Sequence, residues 1–210
     1  EEACSLLVNL TPLDPAVEAG YRPSPRTISS EAAQSRAKRV VKTLFRMGER
    51  AQLGYTIFHN GPLDLSWIIE MIDQTGCNRS IRLGMAQPAP GGNVFIHPKN
   101  YRQVGRQVAS FIEKAAEAEV KVELDCGFVR CMFSDEELQI LRESQAHIAW
   151  RCSPVVDIDL DGSAFPCFPL AAVVRIRDAL SQDVTALQVQ FEQALAYFRV
   201  CGIYPECRTC

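Results

Sequence analysis

No stretch of the 210-residue chain is apolar for long enough to span a bilayer, and no charged segment followed by an apolar one stands at its start. Basic residues are not concentrated: 22 Lys and Arg face 25 Asp and Glu. Only RAKR, Arg36 to Arg39, groups them, and it lies in a helical pattern where a solvated face is the ordinary reading. Neither nucleic acid nor a membrane is therefore expected as a partner. Three histidines, His59, His97 and His147, form no ligand-spaced set, so loop or core roles are expected for them. Cysteine, in contrast, is plentiful. Nine cysteines without secretory features point to a cytoplasmic, iron- or zinc-handling protein, and the odd number argues against a closed disulfide set.

Four of these cysteines fall into two clusters. Cys152 and Cys167 bracket CSPVVDIDLDGSAFPC, and Cys207 and Cys210 sit in the terminal CRTC. Within the first, Val156, Ile158 and Leu160 alternate with Asp157, Asp159 and Asp161 and run into Asp161-Gly162, the pattern of a strand entering a tight hairpin. Such a hairpin folds Cys152 and Cys167 back toward each other. Thiolates are soft donors that suit zinc or an iron–sulfur centre. The alternative for the same residues is a pair of buried thiols flanking a hairpin.

Upstream the chain alternates. SLLVNL predicts a buried strand, and a proline-rich connection follows with Pro12, Pro15, Pro23 and Pro25, too many for a helix interior and long enough for a functional loop or lid. From about Ser30, Ala37, Val40, Val41, Leu44 and Phe45 recur at helical spacing up to Gly48. LGYTIFHN predicts a second strand ended by Asn60-Gly61-Pro62; Asp64 can cap a helix striped by Leu65, Ile68, Ile69 and Ile72, closed by Gly76. SIRLGM, a Pro/Gly loop and a helix bearing Val104, Val108, Phe111, Ile112 and Ala115 repeat the unit, and VKVEL begins another. Ser134 and Glu137 form a capping box for a short helix ending near Ala146; the hairpin follows, and a last helix carries Val184, Leu187, Phe191, Leu195 and Phe198. Strands alternating with amphipathic helices predict parallel β/α units, in an open sheet or part of a barrel.

The strands are two-faced. In SIRLGM, Ile81, Leu83 and Met85 share one side and leave Arg82 and Gly84 on the other; in VKVEL, Val120, Val122 and Leu124 oppose Lys121, Glu123 and Asp125. A sheet covered on both sides reads apolar on both. The expectation is thus an outer face under helices and an inner face lined by Asn9, Thr56, Asn60, Arg82 and Glu123, unless these are ion pairs or edge residues facing water.

Cys152, nine residues, Gly162, four residues, Cys167 and then a Cys-x2-Cys pair resembles the first part of the SPASM domain, the auxiliary-cluster domain of a subfamily of radical S-adenosylmethionine (SAM) enzymes. The related single-cluster twitch domain shares the hairpin. The resemblance implies an α/β fold: the C-terminal part of a partial (β/α)6 barrel over 1–148, followed over 149–210 by a hairpin-plus-helix auxiliary domain. It implies Cys152, Cys167, Cys207 and Cys210 as ligands of an auxiliary [4Fe-4S] cluster. SAM or substrate contacts are expected at the carboxyl ends of the strands, from Asn60, the backbone around Met85, and Asp125. A peptide or protein substrate is common in the family. The family's Cys-x3-Cys-x2-Cys loop is absent, and its SPASM pattern continues past a last Cys-x2-Cys pair. The chain therefore reads as an internal fragment with no assignable catalytic residue.

Other cysteines are less placed by the pattern. Cys126, after the VKVEL strand, is open between hydrogen-atom donor, cluster ligand and a plain thiol, whereas Cys131 is expected to be an ordinary buried cysteine. Cys4 and Cys77 lack a ligand-spaced partner, and Cys201 is a candidate extra ligand. A different class of function stands beside the enzyme: a non-catalytic interaction module in which the same four cysteines hold zinc.

Overall fold

Apolar runs of strand length, each followed by an amphipathic segment, become strands joined by helical crossovers. The computed structural model describes residues 6–10, 30–59, 61–87, 95–125, 127–148, 150 and 154–200, without the side chains of 30–37, 168 and 197–200. Two units are distinguished, Glu1–Gln87 with Val94–Trp150, and Arg151–Cys210 with Pro88–Asn93.

The first unit runs β1 (Leu6–Asn9), α1 (Ser30–Met47), β2 (Ala51–Ile57), α2 (Ser66–Thr75), β3 (Ser80–Met85), α3 (Tyr101–Glu117), β4 (Lys121–Leu124), α4 (Asp135–Glu143) and β5 (His147–Ile148). All five strands are parallel and lie in chain order, β1-β2-β3-β4-β5. Crossovers of one hand, always advancing in one direction, place their helices on one face of a sheet. The mixed α/β reading holds, and β5 is an addition. The helix expected to reach Ala146 stops at Glu143, and Gln145 takes a left-handed φ of 53°. A glutamine there gives no stop signal, and a two-residue strand has no readable period.

Register assigns the two faces. Leu53 pairs with Ile81, Tyr55 with Leu83 and Ile57 with Met85; Ile81 and Leu83 pair in turn with Val122 and Leu124. These side chains are buried in one core with Leu44, Ile68, Ile72, Val104, Val108, Phe111 and Ile112 from the helices. Paired residues of neighbouring strands share a face, so the other side carries the row Asn9, Gly54, Arg82, Glu123 and His147. Asn9, Arg82 and His147 of that row are exposed.

Local signals explain the element ends. Gly76 closes α2 with φ 65°. At α4, Ser134 Oγ accepts from the Glu137 N–H at 3.1 Å while Glu137 Oε2 accepts from the Ser134 N–H at 2.6 Å, the expected capping box. Asp64 Oδ1 accepts from the Ser66 N–H at 3.0 Å, which satisfies a first-turn donor of α2 and holds the Asp64 carboxyl below its ordinary pKa.

The second unit contains β6 (Asp157–Ile158), β7 (Ala164–Phe165) and α5 (Val184–Val200). β6 and β7 pair antiparallel, and Ala164 is bridged on its other side to Ile176. Gly162 makes the turn with φ 79°, a conformation that favours glycine. Ala164, Ala179, Leu187 and Phe191 form a small core with Val156, Val174 and Ile176 against it. The alternation read from the sequence holds for one of its three apolar positions. Ile158 and Leu160 are exposed because the strand ends at Ile158 and Leu160 already belongs to the turn.

Candidate functional site

The polar side of the sheet gathers its chemistry at the carboxyl ends of β2, β3 and β4. Asp125 follows β4 directly, and its N–H donates to the Leu83 carbonyl at 2.7 Å, so it continues the register beyond the Leu83–Leu124 pair. Its carboxylate meets the Arg82 guanidinium, Nη2 to Oδ1 at 3.1 Å, with both side chains about two-fifths exposed. An ion pair this open contributes about 0–1 kcal/mol. It holds two opposite charges in place at little cost to their release. Glu123 lies half-buried beside Arg82 in the register, and Thr56 pairs with Gly84 one step nearer the strand ends.

Met85 turns its side chain into the apolar core, where it is 4% exposed. Its carbonyl accepts from Gln87 Nε2 at 3.4 Å. Beyond β4, Gly127 has φ 101°, and a Cβ there would stand 2.9 Å from Met85 Cβ. The segment after β4 thus closes tightly over the end of β3. Asn60 and Cys126 lie outside the described residues.

Cysteines are placed unevenly. Cys167 is half-buried just after β7, and its carbonyl accepts from the Leu170 N–H at 3.1 Å. Cys152, Cys207 and Cys210, with Cys4 and Cys201, lie outside the described residues. Among the described residues no group of three or more His, Cys, Asp and Glu is arranged to hold a metal. Cys131 corrects an expectation: it is exposed on the 3-10 turn Arg130–Met132, while Met132 takes the buried position under α3. Cys77 is buried, with the Thr75 hydroxyl donating to its sulfur at 3.0 Å.

The histidines take separate roles. His59 is buried, its Nδ1 accepting from the Gly61 N–H at 3.1 Å and its ring edge-on to Phe58 at 4.9 Å between centroids. His97 Nδ1 accepts from the Lys99 N–H at 3.2 Å, and His147 lies on β5.

Sequence reading missed the residue that organises the hairpin. Arg175 Nη1 donates to Asp159 Oδ2 at 2.9 Å and to Ser163 Oγ at 2.6 Å, lies 3.6 Å from Asp161 Oδ2, and sets its guanidinium carbon 5.3 Å over the Phe165 ring. Its hydrogen bond is the main cause that lowers the Asp159 pKa; for Asp161 the main cause is the Ser163 hydroxyl. Asp157, Asp159, Asp161 and Gly162 have the spacing that opens a calcium loop, but a protein cation already stands among the last two carboxylates. No nearby sequence signal marks Arg175, since the bridge of Ile176 to Ala164 brings it there.

No protein-family model matches the chain, and no curated protein or solved structure matches it significantly.

Proposed function

We propose that this chain is the later part of a radical SAM enzyme with a SPASM or twitch auxiliary domain, acting on a peptide or protein. One observation carries the reading: parallel strands in unbroken chain order with one apolar, helix-packed face and one polar face. A doubly wound open sheet reverses its strand order and is apolar on both sides. Sequential order with a polar inner face is the arrangement of a barrel wall around a lumen. The hairpin turning at Gly162 and exiting at Cys167 supports the second half of the reading.

A donor set of four thiols at Cys152, Cys167, Cys207 and Cys210 fits an iron–sulfur cluster and equally fits zinc. In the complete enzyme SAM, bound at the site cluster, supplies the radical chemistry. This chain's share is to bind and orient: Asn60, the backbone around Met85, and Asp125 contact SAM or substrate.

Metal identity tests the proposal. Anaerobic purification and reconstitution should load iron and sulfide at about four each per chain, reduced in Cys167→Ser. The loaded chain should release no 5′-deoxyadenosine from SAM, because the three-thiolate loop of the site cluster is not in it. A colourless protein holding zinc instead would reject the enzyme reading in favour of the zinc module.

A further inference from the structure

Among the described residues nothing requires position 84 to be glycine. It lies inside β3, where glycine is destabilising by about 0.5–1 kcal/mol relative to alanine. Gly48, Gly76, Gly127 and Gly162 have left-handed φ, and Gly54 and Gly105 are crowded by Leu7 and Met132. Gly84 has neither feature: among the described residues a Cβ there would meet Thr56 Oγ1 alone, at 4.0 Å. A strand glycine that no described residue crowds is the kind of position at which a ligand approaches the backbone closely.

The surroundings say what. Thr56 flanks Gly84 on β2, and Asp125 continues β4 on its other side. Arg82 lies two residues back on the same face, paired with Asp125 at 3.1 Å. A positive and a negative group are therefore held side by side beside the Gly84 backbone, in a pair weak enough to open. The complementary ligand carries both charges on adjacent atoms.

We propose that Gly84, Thr56, Arg82 and Asp125 form a binding subsite for an α-amino-acid head group, its carboxylate on the Arg82 guanidinium and its ammonium on the Asp125 carboxylate. Glu123 adds a negative charge next to Arg82, so that with Asp125 the site carries one more negative than positive group. The head group lies flat against Gly84, within reach of the Thr56 hydroxyl. The inference rests on the proposed function only in taking the polar face as turned toward a ligand.

Amide chemical-shift titration of the 15N-labelled full chain tests it. L-Leucine should shift the resonances of Gly84, Thr56, Arg82 and Asp125 with a dissociation constant on the order of 1 mM. N-acetyl-L-leucine and L-leucinamide, each missing one charge, should bind about ten-fold or more weakly, since each leaves a charged partner unmet. Gly84→Val should stay folded, because no described residue crowds the position and valine suits a strand, yet lose the shifts. S-adenosylhomocysteine and methylthioadenosine separate two sources of the head group. Shifts with the first but not the second or leucine assign it to the nucleoside ligand; shifts with leucine assign it to an amino acid or peptide end. The proposal is overturned if neither leucine nor S-adenosylhomocysteine shifts these resonances, if the blocked leucines bind equally well, or if Gly84→Val binds like the parent. Zinc in place of iron together with a leucine response would reject the cluster reading alone; iron uptake with no response would reject this one alone.

Discussion

Gly105→Ala separates helix propensity from packing. Gly105 sits inside α3, where replacing glycine with alanine ordinarily stabilises by about 1 kcal/mol. Here the new Cβ would stand 2.7 Å from the Met132 carbonyl carbon and nearer still to its oxygen. The obstacle is backbone, which no rotamer change removes. The Arg130–Met132 turn must retreat by at least about 0.7 Å for an ordinary carbon contact. That retreat pulls at fully buried Met132 and at the hydrogen bond from Arg102 Nη1 to the Met132 carbonyl, now 2.9 Å. Overpacking of this kind costs about 1–3 kcal/mol, and a strained bond from a charged donor adds about 1.5 or more. After the propensity gain the net expectation is about 2 kcal/mol of destabilisation, a midpoint lower by about 4–8 °C for a protein this size. Both tryptophans, Trp67 and Trp150, belong to the sheet unit, so thermal or urea melts followed by tryptophan fluorescence report on it. Ser110→Ala on the exposed side of the same helix should stabilise slightly and serves as control. Trimming the Met132 side chain should not rescue Gly105→Ala, because the clash is with the main chain. An alanine variant as stable as the parent or more so would refute the close approach, and with it the account of how the segment after β4 is held.

Gly84→Ala should do the reverse, raising stability by about 0.5–1 kcal/mol in the same melts, since no described neighbour comes closer than 4.0 Å to the added carbon; a loss would mean that Gly84 is packed. Arg82→Ala should change stability by no more than about 1 kcal/mol because the pair is open to water, and a larger loss in urea melts would count against so exposed a pair. Ser134→Ala should cost about 1 kcal/mol by removing the α4 cap, read from the same denaturation curves. Asp159 and Asp161 have pKa values depressed below the ordinary 3.8. Their contribution is therefore complete above that value and is lost as pH falls through the lower folded-state values. Hydrogen exchange at the Ala164 and Ile176 amides should stay slow through mild acid and quicken only below the ordinary Asp range. Arg175→Met should quicken exchange already at neutral pH, and no change there would remove Arg175 from its role in the turn.

Much of the fold is legible along the chain because its causes are local. The stripe of Val104, Val108, Phe111 and Ile112, the Ser134–Glu137 box and the stops at Gly48 and Gly76 each act within a few residues, and the structure has them where the sequence put them. Alternation in SIRLGM and VKVEL likewise declares two unlike faces before any partner strand is known, since side chains on a strand must alternate. The hairpin was readable from Asp161-Gly162, but its extent was not. Ile158 and Leu160 fit the strand pattern yet lie outside the core: β6 ends at Ile158, Leu160 is in the turn, and the small core is built by Val156, Ala164, Ile176 and α5.

What the sequence by itself determined is the order of the elements and the polarity of each face, both properties of residues and their near neighbours. Tertiary structure alone decided which strands stand side by side, and so brought Arg82 to Asp125 across 43 positions, Arg175 to the hairpin and Met132 beneath Gly105. It also made β5, too short to show a period, and turned Cys131 outward. The reason is physical: propensity and patterning are set by residues a turn or a strand apart, whereas register and close packing join residues the chain keeps far apart, and no local signal encodes that partner.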